Sequence, residues 1–211
     1  MSGGNSMAVT GAEELARLLL RVGDAPIEHG ATTLFARIAG QVAADIYTRP
    51  APELSDEAND MLGSPRHDDV HLREGLLRCA AGVPIAHVCV LVVTSRVPVP
   101  ARPALGITLS GRLRPGQSAD GIPLGRALAG MGVRREQLSV TVERDCLDET
   151  GNELAVRSQA RLRLPADWPL ALVTELVYAS FLAAYPPPWP GAFQAAGGRC
   201  RPARREHFSG A

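Results

Sequence analysis

Apolar and polar positions first fall into a helical rhythm near the start of the chain. Leu15, Leu18, Leu19 and Val22 recur at helical spacing behind a Thr10–Glu13 capping-box signature, and Gly23 stops the run. A second, shorter helix is predicted over Thr32 to Ile38, closed by Gly40, with a strand from Gln41 to Thr48. Pro50 to Arg66 is polar and broken by Pro and Gly, which predicts irregular chain. Val70 to Cys79 and Ile85 to Ser95 then flank a short connector with a glycine where a tight turn wants one, the pattern of a long-armed hairpin. Pro98 to Pro103 closes the second arm, because proline cannot donate to a ladder. Pro123 to Gly130 suits a short helix with proline near its first position. Three further strands are predicted at Gln137 to Cys146, Leu154 to Leu164 and Leu170 to Leu182, with turn formers at Asp148 to Asn152 and Pro165 to Trp168. Successive strands with short turns make an antiparallel meander, and short helices beside one such sheet give the α+β class.

At 211 residues the chain fits one domain. The expected division is a disordered stretch over residues 1–9, a folded unit over 10–184, and a flexible Pro/Gly/Arg-rich tail over 185–211. Formal charge is zero and aromatics are few, which argues against nucleic acid and against an anionic membrane as partner. No stretch reaches the roughly 20 apolar residues of a bilayer span, and Met1 to Met7 lacks the basic and apolar regions of a secretory signal. Cys79, Cys89, Cys146 and Cys200 show no CxxC spacing, and Cys79 and Cys89 sit among apolar residues. Buried free thiols are the usual state in a reducing cytosol, so a cytoplasmic location is expected, without disulfide framework or zinc site. His67 and His71 imitate an i, i+4 metal pair, but at the start of a strand that spacing does not put both rings on one side. The tail cluster Arg201, Arg204 and Arg205 reads as solvated charge, and no GxSxG, P-loop or dinucleotide-binding fingerprint is present.

Two polar residues are out of place in this pattern. Glu175 lies in a strand that is apolar on both faces, on the side shared by Ala171, Val173 and Val177. A carboxylate there is costly unless it is paired or lines a polar cavity. It is either a structural glutamate bonded to a neighbouring strand or a buried group that serves as proton donor. Arg73, on the face carrying Leu77 and Cys79, is its natural partner, closing a salt bridge or receiving a ligand carboxylate bidentately. Arg157, Gln159, Arg161 and Arg163 alternate with Ser158, Ala160, Leu162 and Leu164, as in a half-buried strand with one wet face.

The order of segments resembles the chorismate pyruvate-lyase family, whose members make 4-hydroxybenzoate and pyruvate from chorismate. Gly30-Ala-Thr-Thr-Leu-Phe is similar to that family's Gly-Ser-x-Thr lid segment. Leu72-Arg-Glu-Gly-Leu-Leu-Arg-Cys-Ala-Ala-Gly-Val-Pro resembles its arginine-bearing strand and hairpin, and Pro123-Leu-Gly-Arg-Ala-Leu its Pro-Leu-Gly-x-x-Leu block. Arg161-Leu-Arg-Leu, followed by Pro169 to Leu176 with its Thr-Glu, looks like the terminal strands. The resemblance spans roughly residues 10 to 182. It departs from the family at Ala31, where Ser is usual, at Thr32, where an apolar residue is usual, and at Arg157 to Ala160, which stands in place of a more basic run.

The resemblance implies a chorismate lyase-like fold, a single antiparallel sheet with short helices forming a lid over a buried pocket. It places Arg73 on the arginine that grips the ring carboxylate and Glu175 on the glutamate at the para oxygen. Leu124 falls on a position whose backbone meets ligand, and Thr32 on the lid. The implied reaction eliminates pyruvate and aromatises the ring. It needs orientation, exclusion of water and stabilisation of charge on the departing ether oxygen, and no metal or redox cofactor. Arg73 would then anchor the ring carboxylate, Glu175 act as general acid, and Arg126 or Arg157 meet the second carboxylate. Two alternatives stay open: an enzyme of the same fold acting on another cyclic carboxylate, and a non-catalytic module that senses a small molecule. The ligand-sensing domains of a large class of bacterial repressors resemble this fold too, but they normally follow a winged-helix DNA reader, for which the residues before the lid segment are too few.

Overall fold

In the two ten-residue strands β2 (Val70–Cys79) and β3 (Pro84–Val93), inward side chains are buried and outward ones half-buried along most of the length. They pair antiparallel, and the turn between them is made by Gly82 at φ +81°, a left-handed conformation that costs a side chain but not glycine. The computed structural model of the protein describes residues 4–23, 25–108 and 122–189. Met1 to Gly3, Cys200 and the Arg201, Arg204, Arg205 cluster lie outside the described residues, as does most of the tail.

The remaining strands are β1 (Val42–Pro50), β4 (Arg134–Val142), β5 (Leu154–Arg163) and β6 (Pro169–Tyr178). Together they form one six-stranded antiparallel sheet in the order β1-β2-β3-β6-β5-β4. Each half is a meander, but β3 pairs with β6 rather than β4, so the two halves are joined at their third and last strands. That closure puts β3 and β6 at the centre, with β2 and β5 on either side of them and β1 and β4 at the edges. β1 crosses β2 tightly: a Cβ on Gly75 would stand 1.9 Å from the Asp45 carbonyl oxygen, so only glycine fits there.

Helices cover the inner face, as the α+β reading expects. Helix α1 (Gly4–Arg21) packs on β4 and β5 and on α5 (Ala179–Ala184), with Leu15, Leu18 and Leu19 buried. Helix α2 (Ala31–Ala39) and the single turn α4 (Leu124–Ala127) complete the cover, and the 3-10 turn Ile27–His29 contacts both. Phe35 of α2 meets Phe181 of α5 edge to face at 5.9 Å. No helix among the described residues is long and apolar enough to cross a membrane.

Several boundaries differ from expectation, each for a physical reason. Helix α1 begins at Gly4, so Thr10 is interior rather than a cap. Asp56–Met61 forms a helix, α3, in the stretch expected to be irregular. Ser55 caps it, its Oγ accepting from Ala58 N at 3.2 Å, and Asp56 and Glu57 favour its first turn. The last strand stops at Tyr178 and α5 follows, since a continuous apolar run reads alike as buried strand or buried helix. Beyond α5, Trp189 is buried, its indole N–H donating to the Tyr185 carbonyl at 2.9 Å. Finally, β4 begins at Arg134 rather than Gln137.

Candidate functional site: a cavity with two buried guanidinium groups

Between the sheet and its helical cover lies a cavity of about 430 Å³. Its floor is the inner face of the central strands, including Leu77, Val88, Val90 and Val173. Its roof is α2, the Ile27–His29 turn and α4, with Ala31, Thr32, Leu124 and Arg126 among the lining residues. The roof is tied down by polar contacts: Gly130 N donates to Glu28 Oε1 at 2.7 Å, Thr33 Oγ1 to the Glu28 carbonyl at 2.6 Å, and Ile27 N to the Val133 carbonyl at 3.0 Å. The Gly130 contact, foremost, holds the Glu28 carboxyl below the usual carboxylate range.

Arg73 projects from the centre of β2 and is only 2% exposed. One of its nitrogens, Nη2, donates to the Ile122 carbonyl at 3.1 Å. Its Nε and Nη1 are buried and have no hydrogen-bond partner among the described residues. Thr48, across the ladder from Arg73 on β1, carries a third buried atom without a partner among the described residues, its Oγ1. Leaving such groups unmet costs about 1–3 kcal/mol each. Burial, which disfavours the charged form, pushes Arg73 down to about 10.

Glu175 projects from β6 into the same cavity and is 4% exposed. Its partner is Arg135 of β4, not Arg73. Arg135 Nη2 donates to Glu175 Oε2 at 2.8 Å and Nη1 to Oε1 at 3.2 Å, a bidentate pair with both side chains buried. Arg135 Nη2 also reaches Ser158 Oγ at 3.0 Å, and Gln137 Nε2 donates to that same hydroxyl at 3.1 Å. Arg73 and Glu175 stand on strands separated by β3, roughly 10 Å apart at two strand spacings, with Val88 and Val90 as the floor between them.

Of the other residues proposed from sequence, Thr32, Leu124 and Arg126 line the cavity. Arg157 does not: it lies on the outer face, its Nε 2.8 Å from Glu143 Oε1, and 44% exposed. The alternation of Arg157, Gln159, Arg161 and Arg163 with buried residues is a wet face, since Arg161 and Arg163 both pair with Glu136 there. Sequence reasoning missed Arg135 because its strand was started three residues too late. The signal was present in the doublet Arg134-Arg135. Adjacent side chains of a strand point to opposite faces, so one of the two must turn inward.

The sequence matches no protein-family model and no curated protein. Among solved structures, a possible transcriptional regulator YydK from Bacillus subtilis is similar in backbone at 12% identity and TM-score 0.44, the match covering 65% of this chain. This chain spans 57% of that one. The gene product SA0254 from Staphylococcus aureus is similar at 10% identity and TM-score 0.44, covering 68% of this chain and 86% of that one. A GntR-family transcriptional regulator from Enterococcus faecalis is similar at 16% identity and TM-score 0.40, covering 66% and 93%.

Proposed function

We propose that this protein binds a small cyclic or aromatic carboxylate in the cavity beneath α2 and α4, as a sensing or carrier module. The observation that carries this reading is Arg73, a buried guanidinium with two nitrogens unpartnered among the described residues, at the wall of an apolar cavity. A planar carboxylate meets such a group with two parallel hydrogen bonds and neutralises its charge. A volume of about 430 Å³ suits a single-ring ligand, and Val88 and Val90 offer a ring its apolar contact. Thr32, Leu124 and Arg126 would form the roof over that ring, with Arg126 the remaining candidate for a second anionic group.

The lyase reading asks more of the site. Elimination of pyruvate from chorismate needs a proton donor at the departing ether oxygen, the role foreseen for Glu175. Both Glu175 oxygens accept from Arg135, so the group is set up as a hydrogen-bond acceptor, which favours binding over turnover. Glu175 and Arg135 would instead mark the far end of the pocket, where a ligand hydroxyl could donate to the carboxylate.

Two measurements on the purified full chain test these readings together. Calorimetric titration with 4-hydroxybenzoate is expected to show one site, with affinity lost in Arg73→Leu. Incubation with chorismate, followed for pyruvate and 4-hydroxybenzoate, is expected to show no formation above the spontaneous rate. Enzymatic release of both products that disappears in Glu175→Gln would replace the sensor reading with the lyase. No binding of 4-hydroxybenzoate, benzoate or chorismate would remove both.

A further inference from the structure

The opposite face of the sheet carries a second chemical cluster, independent of the cavity. Strand alternation turns Glu74, His87 and Cys89 away from Arg73, Val88 and Val90. The register pairs Glu74 directly with Cys89, and His87 lies two positions earlier on β3, on the same side. Three different donor types therefore converge: Glu74 Oε1 lies 3.5 Å from His87 Nε2 and 3.8 Å from Cys89 Sγ, and Cys89 Sγ lies 3.7 Å from His87 Nδ1. One ligand atom from each residue falls within 4.8 Å of the others.

We infer that Glu74, His87 and Cys89 form a binding site for a zinc-class divalent cation on the outer face of the sheet. Ligand atoms at about 2.0–2.3 Å from a tetrahedral ion stand roughly 3.3–3.7 Å from one another. The separations of Glu74 Oε1 from His87 Nε2 and from Cys89 Sγ lie close to that spacing, and with one atom taken from each residue all separations stay within 4.8 Å. A thiolate with an imidazole selects zinc, cobalt or nickel over magnesium and calcium, which prefer oxygen alone. The carboxylate is held by its other oxygen: Glu74 Oε2 takes a hydrogen bond from Arg49 Nη2 at 3.1 Å. Such outer contacts orient a ligand and leave Oε1 for the ion. All three side chains are half-buried, so the fourth position opens to water. Binding exchanges the Cys89 thiol proton for the metal, and that proton goes to solvent.

The site was not legible from cysteine spacing, because its donors come from two strands paired across a hairpin. Cobalt(II) titration of the reduced full chain tests it, with zinc(II) as competitor. The expected result is one equivalent bound, with tetrahedral d–d bands and a sulfur-to-cobalt charge-transfer band that zinc abolishes. Cys89→Ser should remove the charge-transfer band, and His87→Ala should weaken binding by at least about 100-fold, whereas Cys146→Ser leaves the spectrum unchanged. Absence of stoichiometric binding, or a spectrum indifferent to Cys89→Ser, would overturn the assignment. Should either variant fail to fold, alkylation of the wild-type chain still decides. Zinc should slow modification of Cys89 selectively, and an equal rate with and without zinc counts against the site.

Discussion

Arg73 and Arg135 enter one cavity from different strands, and their surroundings treat them in opposite ways. Arg135 meets a carboxylate, a serine hydroxyl and a glutamine side chain, so its fork is largely satisfied from within the protein. Among the described residues, Arg73 meets one carbonyl oxygen and leaves two nitrogens without a partner. Burial costs both cations their water, but Arg135 recovers that loss from Glu175 while Arg73 does not. The first arrangement is how a fold keeps a charge inside for its own architecture. The second is the arrangement that the proposed ligand carboxylate would complete. The contrast also assigns the carboxyl group: Glu175 belongs to Arg135, and Arg73 is the vacancy in the hydrogen-bonding pattern of the cavity.

The largest effect should come from breaking the satisfied pair. Arg135→Leu leaves Glu175 buried without a countercharge and should cost about 3–5 kcal/mol in urea denaturation. The double variant Arg135→Leu/Glu175→Leu should recover most of that loss, which a double-mutant cycle reads directly. The same change at the unsatisfied site should act on binding instead. Arg73→Leu should remove about 2–5 kcal/mol of carboxylate affinity by calorimetry, while the free protein gains about 1 kcal/mol by losing unmet donors. A subtler change would turn one site into the other. Glu175→Gln frees the Arg135 guanidinium, so affinity for an aromatic dicarboxylate should rise about tenfold over wild type, or about 1.4 kcal/mol. Its stability should fall in the same variant, because a second cation is then left without its partner.

The smallest expected effect is in pH. Burial pushes Arg73 down to about 10 from the higher range of an ordinary guanidinium. The unfolded chain therefore holds that proton more firmly than the folded one, and stability without ligand should rise as pH climbs through that interval. Carboxylate affinity runs the other way, level through neutral pH and falling as pH passes about 10. Arg73→Leu should flatten both curves, which denaturation and calorimetry across that range would show.

Much of this was readable from the chain. The hairpin of β2 and β3 followed from period-two alternation around Gly82, and Glu175 and Arg73 stood out as polar residues on apolar faces. Their separation was not readable, because it depends on β3 lying between β2 and β6, a pairing that alternation does not encode. Arg135 was lost to charge: Arg134-Arg135-Glu136 reads as a solvated loop until the strand is known to include it. Arg157 failed for the complementary reason, since a strand rich in arginine has a wet face and a dry one, and its own position falls on the wet side. The outer cluster of Glu74, His87 and Cys89 needed the register of the hairpin, which fixes which residues stand opposite one another.

Urea denaturation of wild type and Arg73→Leu, each with and without saturating 4-hydroxybenzoate, puts the role of the unsatisfied guanidinium to the most direct trial. The expected result is a wild type that the ligand stabilises and a variant at least as stable when free but indifferent to ligand. A variant that is several kcal/mol less stable, and that the ligand still protects, would contradict it and make Arg73 a structural residue.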